Sequence, residues 1–257
     1  MQKLTIIKVG GKIVEEPDTL AALIADFARI PGLKLLVHGG GRSATRLATQ
    51  LGIEQKMVDG RRITDADTLR IVTMVYGGLV NKNIVTSLQA EGINAIGLTG
   101  ADMDIIRSHR RPAGEIDYGF VGDVDRVDAH AIARLLDAGL VPVIAPLSHD
   151  GHGSMLNTNA DTIASEVARA LAPLFDTTLT FCFEKPGVLA DENDDTSVIK
   201  KIDRATYQQL RDRNIIAGGM IPKLDNAFKA LNSGVKEVII TKADAIAVPG
   251  SGTVICN

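Results

Sequence analysis

Short apolar runs recur along the chain at residues 4–9, 33–37, 93–98, 140–144, 177–183 and 238–241, each long enough for a buried strand. Between them, apolar positions fall at helical spacing after Pro17, from Ser43, from Asp128, and over residues 162–171, 203–213 and 221–232. This alternation predicts an α/β protein, a three-layer α/β/α sandwich around a mainly parallel central sheet. Pro173 marks the expected seam, giving an N-terminal lobe over 1–174 and a C-terminal lobe over 175–257.

Two stretches break the alternation. Residues 102–125 are polar and rich in turn formers, which predicts a hairpin insertion at a sheet edge, placed to cover a ligand. Residues 64–91 carry Leu69, Val72, Val75, Tyr76, Leu79, Val80 and Ile84 on one face of a long amphipathic helix with Gly77-Gly78 at its midpoint. Two glycines inside a helix cost roughly 1 kcal/mol each against alanine, so a close contact must offset them. That contact is either tight packing on the chain's own sheet or a crossing with the same helix of a second copy in a homodimer.

Composition narrows the partners. The 257 residues are 45% apolar and 23% charged with a net charge of -3, and no basic run is interleaved with aromatics. Nucleic acid and anionic membrane surfaces are thereby disfavoured, and a small metabolite is expected. The N-terminus runs straight into the first strand without a leader-like h-region, and no window resembles a membrane span, so a cytoplasmic protein is expected. Cys182 and Cys256 lie in apolar strand-like stretches and are expected to be buried, reduced thiols.

Three glycine loops suggest phosphate: Lys8-Val9-Gly10-Gly11-Lys12, His38-Gly39-Gly40-Gly41 and Gly218-Gly219-Met220-Ile221-Pro222-Lys223. Glycines at strand ends let backbone N–H groups approach an anion closely. The P-loop pattern is absent, which excludes a P-loop ATPase. The second loop satisfies a relaxed dinucleotide pattern, with Asp59 at a distance suited to a ribose, but that dehydrogenase reading leaves the two lysine-bearing loops without a role. Lys8 stands in an apolar strand and either snorkels from its end or meets an anion. Lys223 stands near a helix start, where N–H groups and the helix dipole favour negative charge. Together the two lysines could flank a transferring phosphoryl group. Asn157, Asn159 and Asp161, spaced by two, either cap the following helix or face one cleft, where Asp161 would orient the lysines. Arg62 is either an exposed loop residue or a fork for a substrate carboxylate. His149 and His152 read as a solvated turn, because no third metal ligand stands at suitable spacing.

In order and spacing, the Lys8, His38, Gly60-Arg61-Arg62-Ile63-Thr64, Asn157-Thr158-Asn159-Ala160-Asp161 and Lys223 motifs resemble the amino acid kinase family over nearly the whole chain. Within it, the motifs look most like the branch that phosphorylates N-acetylglutamate. The resemblance implies transfer of phosphate from MgATP to the γ-carboxylate of N-acetyl-L-glutamate, giving N-acetylglutamyl 5-phosphate on the route to ornithine and arginine. Alternatives are another N-acylglutamate such as N-succinylglutamate, a family kinase acting on carbamate, aspartate or uridylate, or a nucleotide-binding regulatory protein without turnover. Carried over, Lys8 and Lys223 would stabilise the transition state and Asp161 would organise them. Gly11, Gly40 and Gly41 would donate backbone hydrogen bonds, and Arg62, Asn157 and Asn159 would hold the substrate. Gly10, Gly11, Glu184, Lys185, Pro186, Gly187, Val188, Leu189, Ile215, Ile216 and Ala217 would form the nucleotide pocket, with Mg²⁺ held mainly by the ATP phosphates. In this picture the first lobe binds the acylglutamate and dimerises, and the second binds ATP. Two departures stand out. Phe183-Glu184-Lys185-Pro186 replaces the family's usual Asp-Val context, and no extra N-terminal helix of the kind that joins dimers into hexamers precedes the first strand, so a homodimer without arginine feedback through that helix is expected.

Overall fold

A computed structural model of the chain describes residues 1–58, 60–216 and 220–257. The expected contributions of Asp59, Ala217, Gly218 and Gly219 lie outside the described residues. Eight strands form one sheet in the order Lys201–Ile202, Thr253–Ile255, Glu237–Lys242, Asp176–Phe183, Lys3–Val9, Leu33–His38, Val141–Ile144 and Ala95–Leu98. The last six in that order run parallel, and Thr253–Ile255 turns antiparallel to its neighbour. Strand Lys3–Val9 lies between Asp176–Phe183 and Leu33–His38, so a single sheet crosses the seam at Pro173.

Strand parity builds the layers. Leu4, Ile6, Leu35, Val37, Leu179 and Phe181 point to one face, against the helices Ala160–Leu171 and Met220–Asn232. Ile7, Val9, Leu36 and Cys182 point to the other, against Pro17–Arg29, Gly41–Gln50 and Asn81–Ala90. Side chains alternate along a strand, so Lys8 shares the face of Leu4 and Ile6. The position of Lys8 is therefore dictated by its neighbours' need for burial.

Buried polar groups tie the layers together. Lys34 is buried in its strand, and its Nζ donates to the carbonyls of Phe27, Ala28 and Ile30 at 2.9, 3.0 and 2.9 Å, closing the C-terminus of helix Pro17–Arg29. At the end of the same strand, fully buried His38 contacts the Gly39 carbonyl through Nδ1 at 2.7 Å and Asn81 Nδ2 through Nε2 at 3.1 Å. The Asn81 amide also donates to the Val143 carbonyl at 2.9 Å. Asn81 Nδ2 can only donate, and its Oδ1 is held by Lys82, so His38 is neutral with its proton on Nδ1, given to Gly39. The second glycine loop is thus anchored from below.

Four expectations are corrected. The polar insertion does form a hairpin, Ile106–Arg110 with Gly122–Val127, but it builds a separate four-stranded sheet with Leu147–His149 and Met155–Asn157 instead of extending the main one. Within this sheet His149 is half-buried and meets Asp104 at 2.7 Å, so only His152 sits in an exposed turn. The long helix is α-helical over Ala66–Val72 and Asn81–Ala90 but π-helical over Thr73–Val80 around Gly77-Gly78. The wider turn shifts the apolar face by one position, as at π-bulges near functional sites. A Cβ on Gly77 would touch Thr99 and Leu147 at 3.4 and 3.5 Å, whereas one on Gly78 would meet nothing within 4 Å. Finally, Cys182 is buried, its thiol pushed up to about 12 by that burial, but Cys256 is only half-buried. Among the described residues no helix is long and apolar enough to cross a membrane.

Burial of a charge outweighs the Gly39 hydrogen bond and pushes the His38 imidazole down from 6.5 to about 4. The unfolded chain therefore takes up this proton first, and stability is lost as pH falls from about 6.5 towards 4. At pH 5 the loss from this residue is about 2 kcal/mol relative to neutral pH. Urea unfolding at pH 7 and pH 5 should show a difference that shrinks by about this amount in His38→Gln; an unchanged difference would refute the assignment.

Candidate functional site

The crevice lies beyond the carboxyl ends of the parallel strands, where open α/β sheets commonly bind ligands. There the first two glycine loops pack backbone to backbone. A Cβ on Gly39 would stand 2.8 Å from the Gly11 nitrogen, and one on Gly11 would stand 3.1 and 3.2 Å from the nitrogens of Gly40 and Gly41. A Cβ on Gly40 would also come within 2.8 Å of Tyr76 Cδ1. Only glycine permits this convergence. Gly11 and Gly41 each begin a helix, so their N–H groups have no intrahelical acceptor.

Three cavities adjoin in this crevice, two of them lined by these loops. The largest, about 860 Å³, runs between the glycine loops and the segment after strand Asp176–Phe183. A smaller one, about 210 Å³, shares Gly10, Gly11, Gly41 and Arg62 with it. A third, about 640 Å³, shares Lys185, Gly187, Met220 and Lys223 with the largest. The shared walls make one trough with three stations.

Lys8 stands on the wall of the small cavity, and Lys223 where the largest and third meet. Lys8, buried at the end of its strand, places Nζ 2.7 Å from Asp161 Oδ1 on helix Ala160–Leu171. The approach lies outside hydrogen-bond geometry, so the attraction is coulombic. Lys223, on helix Met220–Asn232, holds its Nζ 3.8 Å above the centre of the Phe183 ring, and Lys8 lies 5.6 Å from the same ring. A π face attracts both ammonium groups, which otherwise repel each other. Burial holds Lys223 below the ordinary lysine value of 10.5, with Asp161 opposing and Lys8 reinforcing that shift. Thus Asp161 touches Lys8 directly and reaches Lys223 only through its field.

The small cavity presents the Arg62 guanidinium. Buried Arg62 gives its guanidinium to Gln55, to the Gly41 carbonyl at 2.9 Å and to Thr45 Oγ1 at 2.9 Å, so its orientation is set before any ligand arrives. Asn157 donates from Nδ2 to Thr64 Oγ1 at 2.9 Å, and Asn159 caps helix Ala160–Leu171 by accepting from the N–H groups of Asp161 and Thr162 at 2.8 and 3.1 Å. Both asparagines line this cavity, so capping and facing the cleft prove compatible. Gly40 and Gly41 form its floor. The hairpin adds residues that sequence reasoning missed. Arg111 meets Asp123 through Nε at 3.1 and 3.2 Å, Arg61 stands nearby, and Tyr76 closes the back wall. The expected cover over residues 102–125 was the available signal for Arg111 and Asp123.

The other end of the trough has mixed walls. Glu184, Lys185 and Gly187 line the largest cavity, while Val188, Leu189, Ile215 and Ile216 supply an apolar pocket in the third. Val188 is fixed by its N–H, which donates to Thr253 Oγ1 at 2.8 Å. Pro186 shapes the turn without lining any of the three cavities, contrary to expectation. Glu184 forms an ion pair with Lys12 at 2.8 Å, and Lys185 with Asp195 at 2.9 Å. The arrangement suits a polyanion in the middle, an apolar ring at one end and a small carboxylate at the other.

Comparison with known proteins agrees in extent and kind. The pattern of the amino acid kinase family matches residues 3–242. The acetylglutamate kinase of Phocaeicola vulgatus is 68% identical over 254 residues, covering 99% of this chain and 98% of that protein. That of Methanopyrus kandleri is 39% identical over 98% of this chain and 100% of its own length. Among solved structures, smu.665 from Streptococcus mutans UA159 superposes with a TM-score of 0.79 at 30% identity over 98% of both chains. Carbamate kinase from Giardia lamblia bound to AMP-PNP superposes with a TM-score of 0.69 over 99% of this chain and 98% of that one, and at 15% identity shows a shared fold alone.

Proposed function

The chain belongs to the amino acid kinase family and is a kinase, and on that premise we propose that it transfers the γ-phosphoryl group of ATP to the γ-carboxylate of N-acetyl-L-glutamate. The observation that carries this reading is the meeting of Lys8, Asp161, Lys223 and the Gly11, Gly40 and Gly41 backbone at the junction of a carboxylate-sized cavity and a nucleotide-sized one. The acylglutamate occupies the N-terminal part, its α-carboxylate on the Arg62 fork and beside Asn157 and Asn159. ATP occupies the largest and third cavities, with adenine against Val188, Leu189 and Ile216. The acceptor carboxylate is already ionised at neutral pH, so no general base is needed. Lys8 and Lys223 stabilise the charge that grows on the transferring oxygens, and Asp161 keeps Lys8 extended towards them. The free N–H groups at the glycine loops add donors to the same oxygens.

Magnesium fits this arrangement as an ion brought in on the phosphates. Among the described residues, the largest cavity offers Glu184 as its lone carboxylate and no cluster of three metal ligands forms a cage, which suits an ion that keeps phosphate and water ligands. When bound, it would neutralise β- and γ-phosphate charge. As a biosynthetic enzyme on the route to arginine, the protein would work in the cytoplasm.

Arg61 and Arg111 favour a second reading of the acyl group. An acetyl methyl needs no cation, yet two guanidinium groups border the small cavity with only Asp123 between them. An acyl chain ending in its own carboxylate, as in N-succinylglutamate, would use them. A homodimer through the π-helical segment is also proposed, because Met74 and Leu79 are 54% and 56% exposed beside the open flank of Gly78.

Four measurements test these proposals. In a coupled assay with ATP and N-acetylglutamate, Lys8→Ala and Lys223→Ala should each lower kcat by about 100-fold or more, and Arg62→Ala should chiefly raise KM for the acylglutamate. Full kcat in both lysine variants would end the clamp model, whereas ATP binding without ADP release in the parent protein would support a regulatory role. Because Lys223 must be protonated and its value is lowered, kcat should fall on the alkaline side below pH 10.5. Arg111→Ala should cut kcat/KM about tenfold or more for N-succinylglutamate, leaving N-acetylglutamate nearly unchanged, if the second reading holds. Leu79→Asp should convert a dimer to a monomer in light scattering; a monomeric parent would rule the dimer out.

A further inference from the structure

We propose that Lys12 is a third phosphate-binding cation of the nucleotide cleft, paired with Glu184 at rest and exchanging that carboxylate for a phosphate oxygen when ATP binds. The inference rests on the ATP-dependent reading above. Lys12 follows the Gly10-Gly11 turn, and its Nζ reaches across the largest cavity to Glu184 Oε1 at 2.8 Å on the opposite wall, immediately after strand Asp176–Phe183. The ion pair therefore spans the place where the triphosphate must lie.

Charge around the cavity is lopsided. Lys12, Arg42, Arg46, Arg62, Lys185 and Lys223 line it, and Glu184 is the one carboxylate among the described lining residues. Several of these cations are already engaged: Arg62 with Gly41 and Thr45, Lys185 with Asp195, and Lys223 with the Phe183 ring. Lys12 differs, because among the described residues its only partner is a side chain that a phosphate would displace. Glu184 is held below the usual carboxylate range by Lys12 first, then by the fields of Arg42 and Lys223, so it is ionised and would repel a triphosphate if left unpaired.

The exchange favours phosphate. The side chains of Lys12 and Glu184 are 48% and 61% exposed, so water screens their attraction and little holds the pair together. A phosphate group offers more charge and more acceptor oxygens than one carboxylate. The flexible lysine stem lets Nζ swing to it without moving the glycine loop.

Opposite signs in two variants provide the test. Calorimetric titration of the full-length protein with ATP, ADP and adenosine, in the presence of magnesium, should show that Lys12→Gln weakens ATP and ADP by about tenfold or more and leaves adenosine unchanged. Glu184→Gln should bind ATP at least as tightly as the parent, since it removes the competitor for Lys12. Both side chains are exposed, and unfolding midpoints equal to the parent's would verify intact variants. Unchanged ATP affinity in Lys12→Gln, or weakened ATP in both variants, overturns the proposal, the second outcome making the pair a structural strap. A parent protein that bound no ATP would instead overturn the kinase reading on which the proposal rests.

Discussion

A lysine placed within an apolar strand is the constraint on which the rest depends. Lys8 lies between Ile7 and Val9 in the middle of the sheet, on the face that Leu4 and Ile6 bury. An isolated ammonium there would be costly, and it is retained because Asp161 meets it at 2.7 Å. Asp161 can do so only if its helix begins at the carboxyl end of that strand, which Asn159 secures by capping it. Lys223 adds a second positive charge, which the Phe183 ring helps to hold. Two cations against one acid leave the junction short of negative charge, which in the proposed reaction a phosphoryl group in transfer would supply. Lys34 shows the contrast. It too is buried in a strand, but three carbonyls satisfy it, and it closes a helix instead of making a site.

Around this charge, the glycine loops set the spacing. Gly11 and Gly39 let two strand ends approach so closely that a single Cβ would push them apart, and Gly40 gives the Tyr76 ring the same room. His38, neutral and locked between the Gly39 carbonyl and Asn81, fixes the second loop from within the core. Arg62 then crosses to the Gly41 carbonyl, so the proposed carboxylate fork and the proposed phosphate junction are held by the same short piece of backbone. In the proposed reaction, binding and chemistry would therefore share one rigid support, as a preorganised site requires.

Much of the fold was legible because it depends on local periodicity. The strands at residues 4–9, 33–37 and 177–183 and the helices flanking them announced themselves through apolar runs and spacing. Lys8 was legible as an anomaly in such a run, and Asp161 and Lys223 as polar residues at helix starts. The π-helical turn at Thr73–Val80 was not, because a one-residue shift hides inside a pattern read at helical period. Nor were the Lys12–Glu184 and Arg111–Asp123 pairs or the contact of Tyr76 with Gly40, since each joins segments whose meeting is decided by tertiary packing. Phe183 was visible only as a departure from the family's pattern, and its role beneath Lys223 emerges from the fold.

The central claim is that Lys8 and Lys223 grip one phosphoryl group between the small cavity and the largest one. A crystal structure with ADP, magnesium, aluminium fluoride and N-acetylglutamate tests it most directly, since the planar fluoride mimics the group in transfer. The account predicts the fluoride between the two Nζ atoms, each within about 3 Å of it, with the acceptor carboxylate in line on the Arg62 side. A fluoride seated away from either lysine, or an acylglutamate bound outside the small cavity, would contradict it.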